Sequence, residues 1–207
     1  MSGAYPKFFS HIDRSSVKTI CELGSRDGLD AIRLQQHFDA DVVAWECNPH
    51  SIPKCRSILE GHERIELVEK AVWSQTKEIK FHPVINGNIG ASSAFKADTS
   101  YPYERPYQQT TITVNAVRLD EWWKANRTKP IDLLVMDLQG GELEALAGIG
   151  DLIDDVQYII TEGQHKRLYH GTPLITDIEA FLKDEGFTLQ MGFDVNDWFG
   201  DFLFIRE

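Results

Sequence analysis

The chain of 207 residues has the composition of an ordinary water-soluble protein, with 42% hydrophobic and 26% charged residues. Its net charge of −11 argues against nucleic acid or an anionic membrane surface as the main partner. No stretch approaches the roughly 20 apolar residues that span a bilayer, and the first residues lack the apolar run of a signal peptide. The three cysteines form no C-x-x-C pair. We therefore expect a cytoplasmic protein, in a reducing compartment, without a membrane span.

The first third of the chain alternates strands and helices. Apolar runs at residues 17–23, 41–46 and 65–72 predict three strands. Apolar side chains at helical spacing predict a helix over residues 27–38, and Asn48-Pro49 predicts the start of a second helix because proline suits the first helical turn. Strands that alternate with helices in this way indicate a parallel sheet covered by helices.

Residues 73–130 break the alternation. Two strand-like segments, at residues 77–82 and 110–117, flank a stretch from 86 to 107 that is rich in Gly, Ser, Asn, Tyr and Pro. A long irregular connection of this kind is often functional. We predict that it is an insertion beside the ligand-binding end of the sheet, within a single domain of residues 1–207.

The alternation of strands and helices resumes after residue 130. Apolar runs at residues 131–136 and 156–161 predict strands, and helical patterns cover residues 141–149 and 176–185. Gly186 stands where a helix C-cap is expected. Residues 187–193 and 201–205 predict two closing strands that form an antiparallel hairpin.

A glycine-rich loop follows the first predicted strand. The segment Glu22-Leu-Gly-Ser-Arg-Asp-Gly28 has the spacing G-x-x-x-G, not the G-x-G-x-x-G of dinucleotide binders, so a pyrophosphate cradle is disfavoured. Glu46 ends the second strand, where an acid can accept hydrogen bonds from ribose hydroxyls. These residues predict a nucleoside site. In the alternative interpretation, the glycines only make a turn and Glu46 caps the next helix.

At these residues the sequence resembles class I S-adenosylmethionine-dependent methyltransferases and, more narrowly, the FkbM family of O-methyltransferases. The resemblance runs from about residue 17 to residue 205. The glycine loop resembles the motif E/D-x-G-x-x-x-G, and residues 88–93 and 117–122 resemble the family's N-x-G-x-S-S and L-D-x-x elements. Residues 131–148 resemble its signature I-D-x-x-K-x-D-x-E/Q-G-x-E-x-x-x-L-x-G. The sequence departs from that signature at Val135, where many members carry lysine, and it has Gln139 where glutamate is commoner.

The resemblance implies a Rossmann-like class I methyltransferase fold: a mostly parallel seven-stranded sheet with an antiparallel last strand and helices on both faces. It implies S-adenosylmethionine as cofactor and, as acceptor, a hydroxyl of a sugar or glycosylated small molecule. We expect a monomer or a homodimer. The cofactor-binding residues expected are Glu22, Gly24, Ser25, Arg26, Asp27, Gly28, Glu46, Cys47, Asn48, Ala71, Val72, Ser92, Asp137, Leu138 and Gln139.

Two carboxylates and an imidazole are expected to converge beside the methyl group. Asp137 and Glu162 end neighbouring strands, and His165 follows in the same loop. Three roles are open. Asp137 or His165 could act as general base. Asp137 and Glu162, with or without His165, could bind a divalent cation such as Mg²⁺. The three could also only order loops and position the acceptor. Substrate contacts are predicted at Ser93, Tyr169 and His170.

Two other functions compete with methyl transfer. A nucleotide-binding oxidoreductase could use the same sheet, although the missing G-x-G-x-x-G argues against it. A catalytically silent module could keep only the cofactor loop. Aromatic side chains in or after the insertion could pack on sugar rings or belong to the core. These side chains are Tyr101, Tyr103, Tyr107, Trp122 and Trp123. For Trp122 and Trp123, which lie on a predicted short helix, a place in the core is the stronger prediction.

Overall fold

The structure is a computed structural model that describes residues 5–98 and 107–207, so Tyr101 and Tyr103 lie outside the described residues. The strands in chain order are β1 Thr19–Leu23, β2 Asp41–Trp45, β3 Ile65–Val68, β4 Ala71–Val72, β5 Lys77–Phe81, β6 Val84–Asn86, β7 Gln108–Gln109, β8 Ile112–Val117, β9 Leu133–Met136, β10 Tyr158–Gln164, β11 Phe187–Asp194 and β12 Phe199–Arg206. The helices are α1 Tyr5–Phe8, α2 Leu29–Phe38, α3 Ile52–Leu59, α4 Leu119–Asn126, α5 Glu142–Ala147 and α6 Ile175–Asp184. Short 3₁₀ helices cover Phe9–His11, Ile89–Ala91 and Gly150–Asp155.

The main sheet has seven strands in the order β11-β12-β10-β9-β1-β2-β3. β12 lies antiparallel between β10 and β11, and the other six strands run in one direction. The carboxyl ends of the central strands are aligned, since Leu23 pairs with both Trp45 and Met136, and Met136 pairs with Thr161. This arrangement confirms the predicted fold class, including the antiparallel last strand and the closing hairpin.

Helices cover both faces of the sheet, and each face has its own hydrophobic core. On one face, Phe8 of α1, Leu34 of α2 and Cys55 of α3 pack against the strands. On the other, Trp123 of α4 and Leu182 of α6 do so. Because both faces are covered, the central strands are buried along their whole length, which explains their continuous apolar sequences.

Additional strands lie beside the main sheet, in residues 71–86 and 108–117. β4, β8 and β5 make a three-stranded sheet, and β6 pairs with β7. The predicted third strand, residues 65–72, is in fact two strands, because a turn closed by the Lys70 N–H and the Val68 carbonyl separates β3 from β4. The tryptophans of α4 belong to the core, as predicted: Trp123 is buried, and the Trp122 ring lies edge-on to Trp45.

One helix boundary differs from the prediction. α3 begins at Ile52, not at Pro49, because the Asn48 carbonyl accepts hydrogen bonds from the Ser51 and Ile52 amides and holds the intervening residues in a turn. The proline in its first turn is Pro53. In residues 5–98 and 107–207, no helix combines the length and apolarity needed to cross a membrane.

Candidate functional site

A cavity of about 200 Å³ opens where the main sheet's central strands end. Its walls come from the loops that follow β1, β2, β9 and β10, from the added strands and the 3₁₀ helix Ile89–Ala91, and from the hairpin between β11 and β12. Of the predicted site residues, the cavity is lined by Gly24, Arg26, Glu46, Cys47, Asn48, Ala71, Val72, Ser92, Asp137, Leu138, Gln139, Glu162 and Tyr169.

The glycine loop packs directly onto the end of β9. Gly24 has φ +90°, and a Cβ on it would lie 2.0 Å from the carbonyl oxygen of Asp137. The amides of Gly24 and Ser25 both donate to the Trp45 carbonyl, at 3.0 and 2.8 Å, which ties the loop to the end of β2. Only glycine combines this backbone conformation with so close an approach.

Glu46 anchors the loop and also faces the cavity. Its Oε2 accepts from the Arg26 amide at 2.8 Å, and its Oε1 accepts from the Asn48 amide at 2.6 Å. Burial raises the pKa of Glu46 to about 7, against these two hydrogen bonds, which favour the ionised form. Glu46 does not cap α3, which begins at Ile52, so that part of the alternative interpretation is wrong. The carboxylate instead ties the glycine loop to the turn at Asn48, and it lines the cavity, where a ligand hydroxyl could reach its remaining lone pairs.

Gln139 connects the two catalytic candidates. Its Nε2 donates to Asp137 Oδ1 at 2.6 Å and to Glu162 Oε1 at 2.7 Å, and its Oε1 accepts from the Tyr169 hydroxyl at 2.7 Å. The Ser93 hydroxyl donates to the Gln139 carbonyl at 2.8 Å. The amide side chain thus fixes both carboxyl groups at one wall of the cavity.

The inserted segment is attached to the site by its serines and by Tyr169. Ser92 Oγ accepts from Asn48 Nδ2 at 3.2 Å and donates to the Ile89 carbonyl at 2.7 Å. The Tyr169 hydroxyl lies 3.0 Å from the Ala91 carbonyl. The segment therefore covers the ends of the strands and narrows the cavity.

The half-buried Asp137 and the buried Glu162 and Asp201 form a row at the end of three adjacent strands. Asp137 and Glu162 directly follow Met136 and Thr161, which pair in the sheet, and Glu162 pairs with Asp201 of β12. Burial raises the pKa of Asp137, and burial together with the charge of Asp137 raises the pKa of Glu162 well above its usual value. Two close carboxylates cannot both ionise readily, so each member of the pair Asp137–Glu162 makes the ionisation of the other less favourable.

Seven predicted site residues do not line the cavity. Glu22 is buried beneath the loop, where burial raises its pKa to about 8. His165 Nε2 lies 2.7 Å from Asp194 Oδ1 and braces the hairpin, and the exposed His170 faces Asp98 at 3.6 Å. The other four lie behind the cavity wall: Ser25, Asp27, Gly28 and Ser93.

Sequence reasoning missed several residues that line the cavity. Val195 and Phe199, from the hairpin, reach it from a part of the chain with no recognisable motif. Lys70 and Trp73 flank the predicted Ala71-Val72, and Leu168 precedes Tyr169. The predicted site residues next to Lys70, Trp73 and Leu168 could have indicated these three. No sequence motif near Val195 or Phe199 indicates that the hairpin reaches the cavity.

The carboxylates as arranged do not fit a metal ion. The Gln139 amide nitrogen, a hydrogen-bond donor, lies between Asp137 and Glu162 where a shared cation would have to sit. Within the two described ranges, no group of three or more His, Cys, Asp or Glu side chains is arranged to hold a metal.

The sequence profile of the methyltransferase FkbM domain matches residues 24–189. The chain is 31% identical over 163 residues to the 2-O-methyltransferase NoeI of Sinorhizobium fredii (strain NBRC 101917 / NGR234), a match that covers 73% of this chain and 65% of that protein. It is 40% identical over 159 residues to a putative methyltransferase of Jannaschia sp. (strain CCS1), covering 73% of this chain and 53% of that one. The chain thus spans less than two thirds of either relative.

Solved structures share the fold at low sequence identity. Magnesium protoporphyrin IX methyltransferase from Synechocystis PCC 6803, with bound SAM, superposes with a TM-score of 0.55 at 13% identity, covering 98% of this chain and 76% of that chain. Precorrin-6y C5,15-methyltransferase from Geobacter metallireducens GS-15 superposes with a TM-score of 0.57 at 12% identity, covering 98% of this chain and 87% of that chain. Both confirm the class I methyltransferase architecture.

Proposed function

Since the chain belongs to the FkbM methyltransferase family, we propose that it transfers a methyl group from S-adenosylmethionine to a hydroxyl of a sugar or glycosylated small molecule. One observation carries the proposal. The cavity joins a nucleoside-type half, built around Glu46, to a proton-accepting half, built around Asp137 and Glu162. Methyl transfer to oxygen needs both halves in contact, because the acceptor must lose a proton beside the methyl donor.

The first half of the cavity fits the cofactor. We assign the ribose hydroxyls to Glu46, which retains free lone pairs beyond its two backbone hydrogen bonds. The apolar wall of Ala71 and Val72 suits the adenine ring, and Gly24 lets the backbone approach the methionine portion. S-adenosylmethionine, when bound there, supplies a methyl group whose carbon–sulfur bond breaks as the acceptor oxygen forms the new carbon–oxygen bond.

The second half handles the acceptor's proton. We assign Asp137 as the ionised member of the pair, and its raised pKa makes it a stronger base than an exposed aspartate. We assign it the proton of the acceptor hydroxyl. Gln139 holds Asp137 in place, and the Tyr169 hydroxyl orients Gln139 through its amide oxygen. His165, which is hydrogen-bonded to Asp194 outside the cavity, is not needed for this step.

The choice of a sugar as the acceptor rests on the resemblance to the FkbM family, and one relative supports a hydroxyl oxygen. NoeI is named a 2-O-methyltransferase, which supports oxygen as the methylated atom. The acceptor wall carries amide, phenol and carboxyl groups from Gln139, Tyr169 and Glu162, and such groups commonly bind hydroxyls.

Ligand-dependent thermal unfolding tests the cofactor assignment. S-adenosylmethionine and S-adenosylhomocysteine at 100 times their dissociation constants should each stabilise the protein by about 2.7 kcal/mol, a rise in Tm of about 5–10 °C. Glu46→Gln should lose most of that rise, because an amide replaces one ribose acceptor oxygen with a donor. Glu179→Gln, on the exposed face of α6, is the matched control and should behave as wild type. A rise with NAD alone would instead favour an oxidoreductase.

The acceptor is then identified by methylation assays. Neutral methyl glycosides and short oligosaccharides are incubated with radiolabelled S-adenosylmethionine, and labelled product is located by mass. Asp137→Asn should lose most of the turnover at saturating cofactor, on the order of 10²-fold or more. Full activity of Asp137→Asn would contradict its role as the base.

A further inference from the structure

The row of acids at the acceptor wall extends beyond the part of the chain that defines the family. The matched profile ends at residue 189, whereas Asp201 stands in β12 directly opposite Glu162. Asp201 is 1% exposed and Glu162 5% exposed. Side chains that pair directly across an antiparallel ladder lie on the same face of the sheet, so the two carboxyl groups are neighbours. Asp201 lies near the start of β12. Because β12 is antiparallel to the other six strands, its start lies at the same edge of the sheet as their carboxyl ends.

A tyrosine from the first helix covers the same row. Tyr5 of α1 is 6% exposed and belongs to the core cluster on this face of the sheet. It also precedes the matched profile. Burial is the largest cause that raises the pKa of the Tyr5 phenol. The charges of four carboxyl groups, in or directly after four strands, raise it further: Asp137, Asp201, Glu162 and Glu22. A phenol O–H can donate to a carboxylate, so Tyr5 is a candidate donor to this row.

We propose that Tyr5 and Asp201 are positioning residues for the Asp137–Glu162 pair, holding Glu162 from the sides that Gln139 does not occupy. The proposal rests on the proposed function in one respect, namely that this pair receives the acceptor's proton. Gln139 contacts Glu162 through Oε1. In the protonated form the remaining oxygen, Oε2, carries a hydrogen that can be donated to Asp201 across the ladder. Tyr5 donates into the same row and stabilises its ionised members.

Asp201 and Tyr5 shift the protonation equilibrium of Glu162 in opposite directions. Asp201 stabilises the protonated form of Glu162, both as a hydrogen-bond acceptor and as a nearby negative charge. Tyr5, as a donor, stabilises the ionised form. Among the described residues, the titratable groups that face Glu162 from the elements around it include Asp137, Asp201, Glu142, Tyr5 and Tyr169.

Infrared spectroscopy tests this inference without an acceptor. The difference spectrum between wild type and Glu162→Gln isolates the C=O band of the Glu162 carboxylic acid, and its intensity is followed against pH. Asp201→Asn should move the midpoint of this titration down by about one pH unit, and Tyr5→Phe should move it up by about one unit. Tyr158→Phe, at the opposite end of β10, is the matched control and should leave the midpoint unchanged.

Each outcome decides the inference. Opposite shifts support it, whereas midpoints equal to wild type in both variants would overturn it, as would the absence of a Glu162 band. Should Tyr5→Phe fail to fold, the shift in Asp201→Asn decides. Affinity for S-adenosylhomocysteine, measured by calorimetry on the same proteins, separates the two proposals. Lack of binding by the wild type would contradict the proposed function and leave the band shifts as the test of the positioning roles.

Discussion

Gln139 has a backbone conformation that a glutamine rarely adopts. Its φ is +54°, in the left-handed region, and Gly140 follows with φ +100°. Such strain costs on the order of 1–3 kcal/mol and persists where surrounding contacts hold it. Here the contacts are four hydrogen bonds, to Asp137, Glu162, Tyr169 and Ser93. The strained backbone turns the amide into the gap between the two carboxyl groups.

Replacing Gln139 with the commoner glutamate of the family signature should destabilise this protein. Gln139→Glu removes both N–H donors and adds a third buried carboxyl group, so we expect a loss of about 2–3 kcal/mol in the free energy of unfolding at pH 8. The loss should shrink at pH 5.5, where the carboxyl groups are more fully protonated. Denaturant titration at the two pH values measures it. The exposed Gln157→Glu is the control, and equal stability of the two variants at pH 8 would contradict the bridging role.

At the scale of elements, the loop after β1 is fixed by its approach to β9. Gly24→Ala places a Cβ 2.0 Å from the Asp137 carbonyl, in addition to the strain of a positive φ. Gly61 has a similar φ, +81°, but no atom lies within 4 Å of its added Cβ. Gly61→Ala should therefore cost only the backbone strain, about 1 kcal/mol. Gly24→Ala should cost several times more and reduce cofactor affinity. Equal Tm values for the two variants would show that the loop can move aside.

The elements that were predictable are those whose signals are local. Continuous apolar runs identified the buried strands, and the glycine loop and Glu46 pointed to the half of the cavity that we propose binds the cofactor, because a short segment contains each signal. Asp201 and Phe199 escaped prediction because an antiparallel strand and its hairpin deliver them to the site from a distant part of the chain. The role of His165 was obscured for the converse reason. It lies next to the site in sequence, but its side chain points to Asp194.

Among the residues that the structure describes, buried acids outnumber the buried cations that could balance them. Burial raises the pKa of Glu22 to about 8 and that of Glu142 and Glu46 to about 7, from ordinary values of 4.5. A carboxyl group whose pKa is higher in the folded than in the unfolded state stabilises the fold while protonated. That contribution is complete below pH 4.5 and is lost as the pH rises to about 8.

The ligand-free protein should therefore become less stable between pH 6.5 and pH 8.5. His37 and His82, whose pKa values are lowered, would oppose this trend only below about pH 6.5. Glu142→Gln mimics the protonated acid and can keep the hydrogen bond from the Leu138 amide. It should raise the Tm at pH 8.5 and flatten the pH dependence, whereas Glu179→Gln should do neither. A wild-type Tm that rises over this interval would contradict the pKa directions.

The three cysteines are unequal in a way that makes the cavity observable. Cys21 and Cys55 are fully buried, whereas Cys47 is partly exposed and lines the cavity beside Glu46. Burial holds the Cys47 thiol pKa far above its usual value, so little of it is thiolate and its reaction with a maleimide is slow. A molecule in the cavity would shield the sulfur further. The rate at which Cys47 is alkylated, measured by mass spectrometry, therefore reports whether the cavity of the native protein is occupied, and no label has to be introduced.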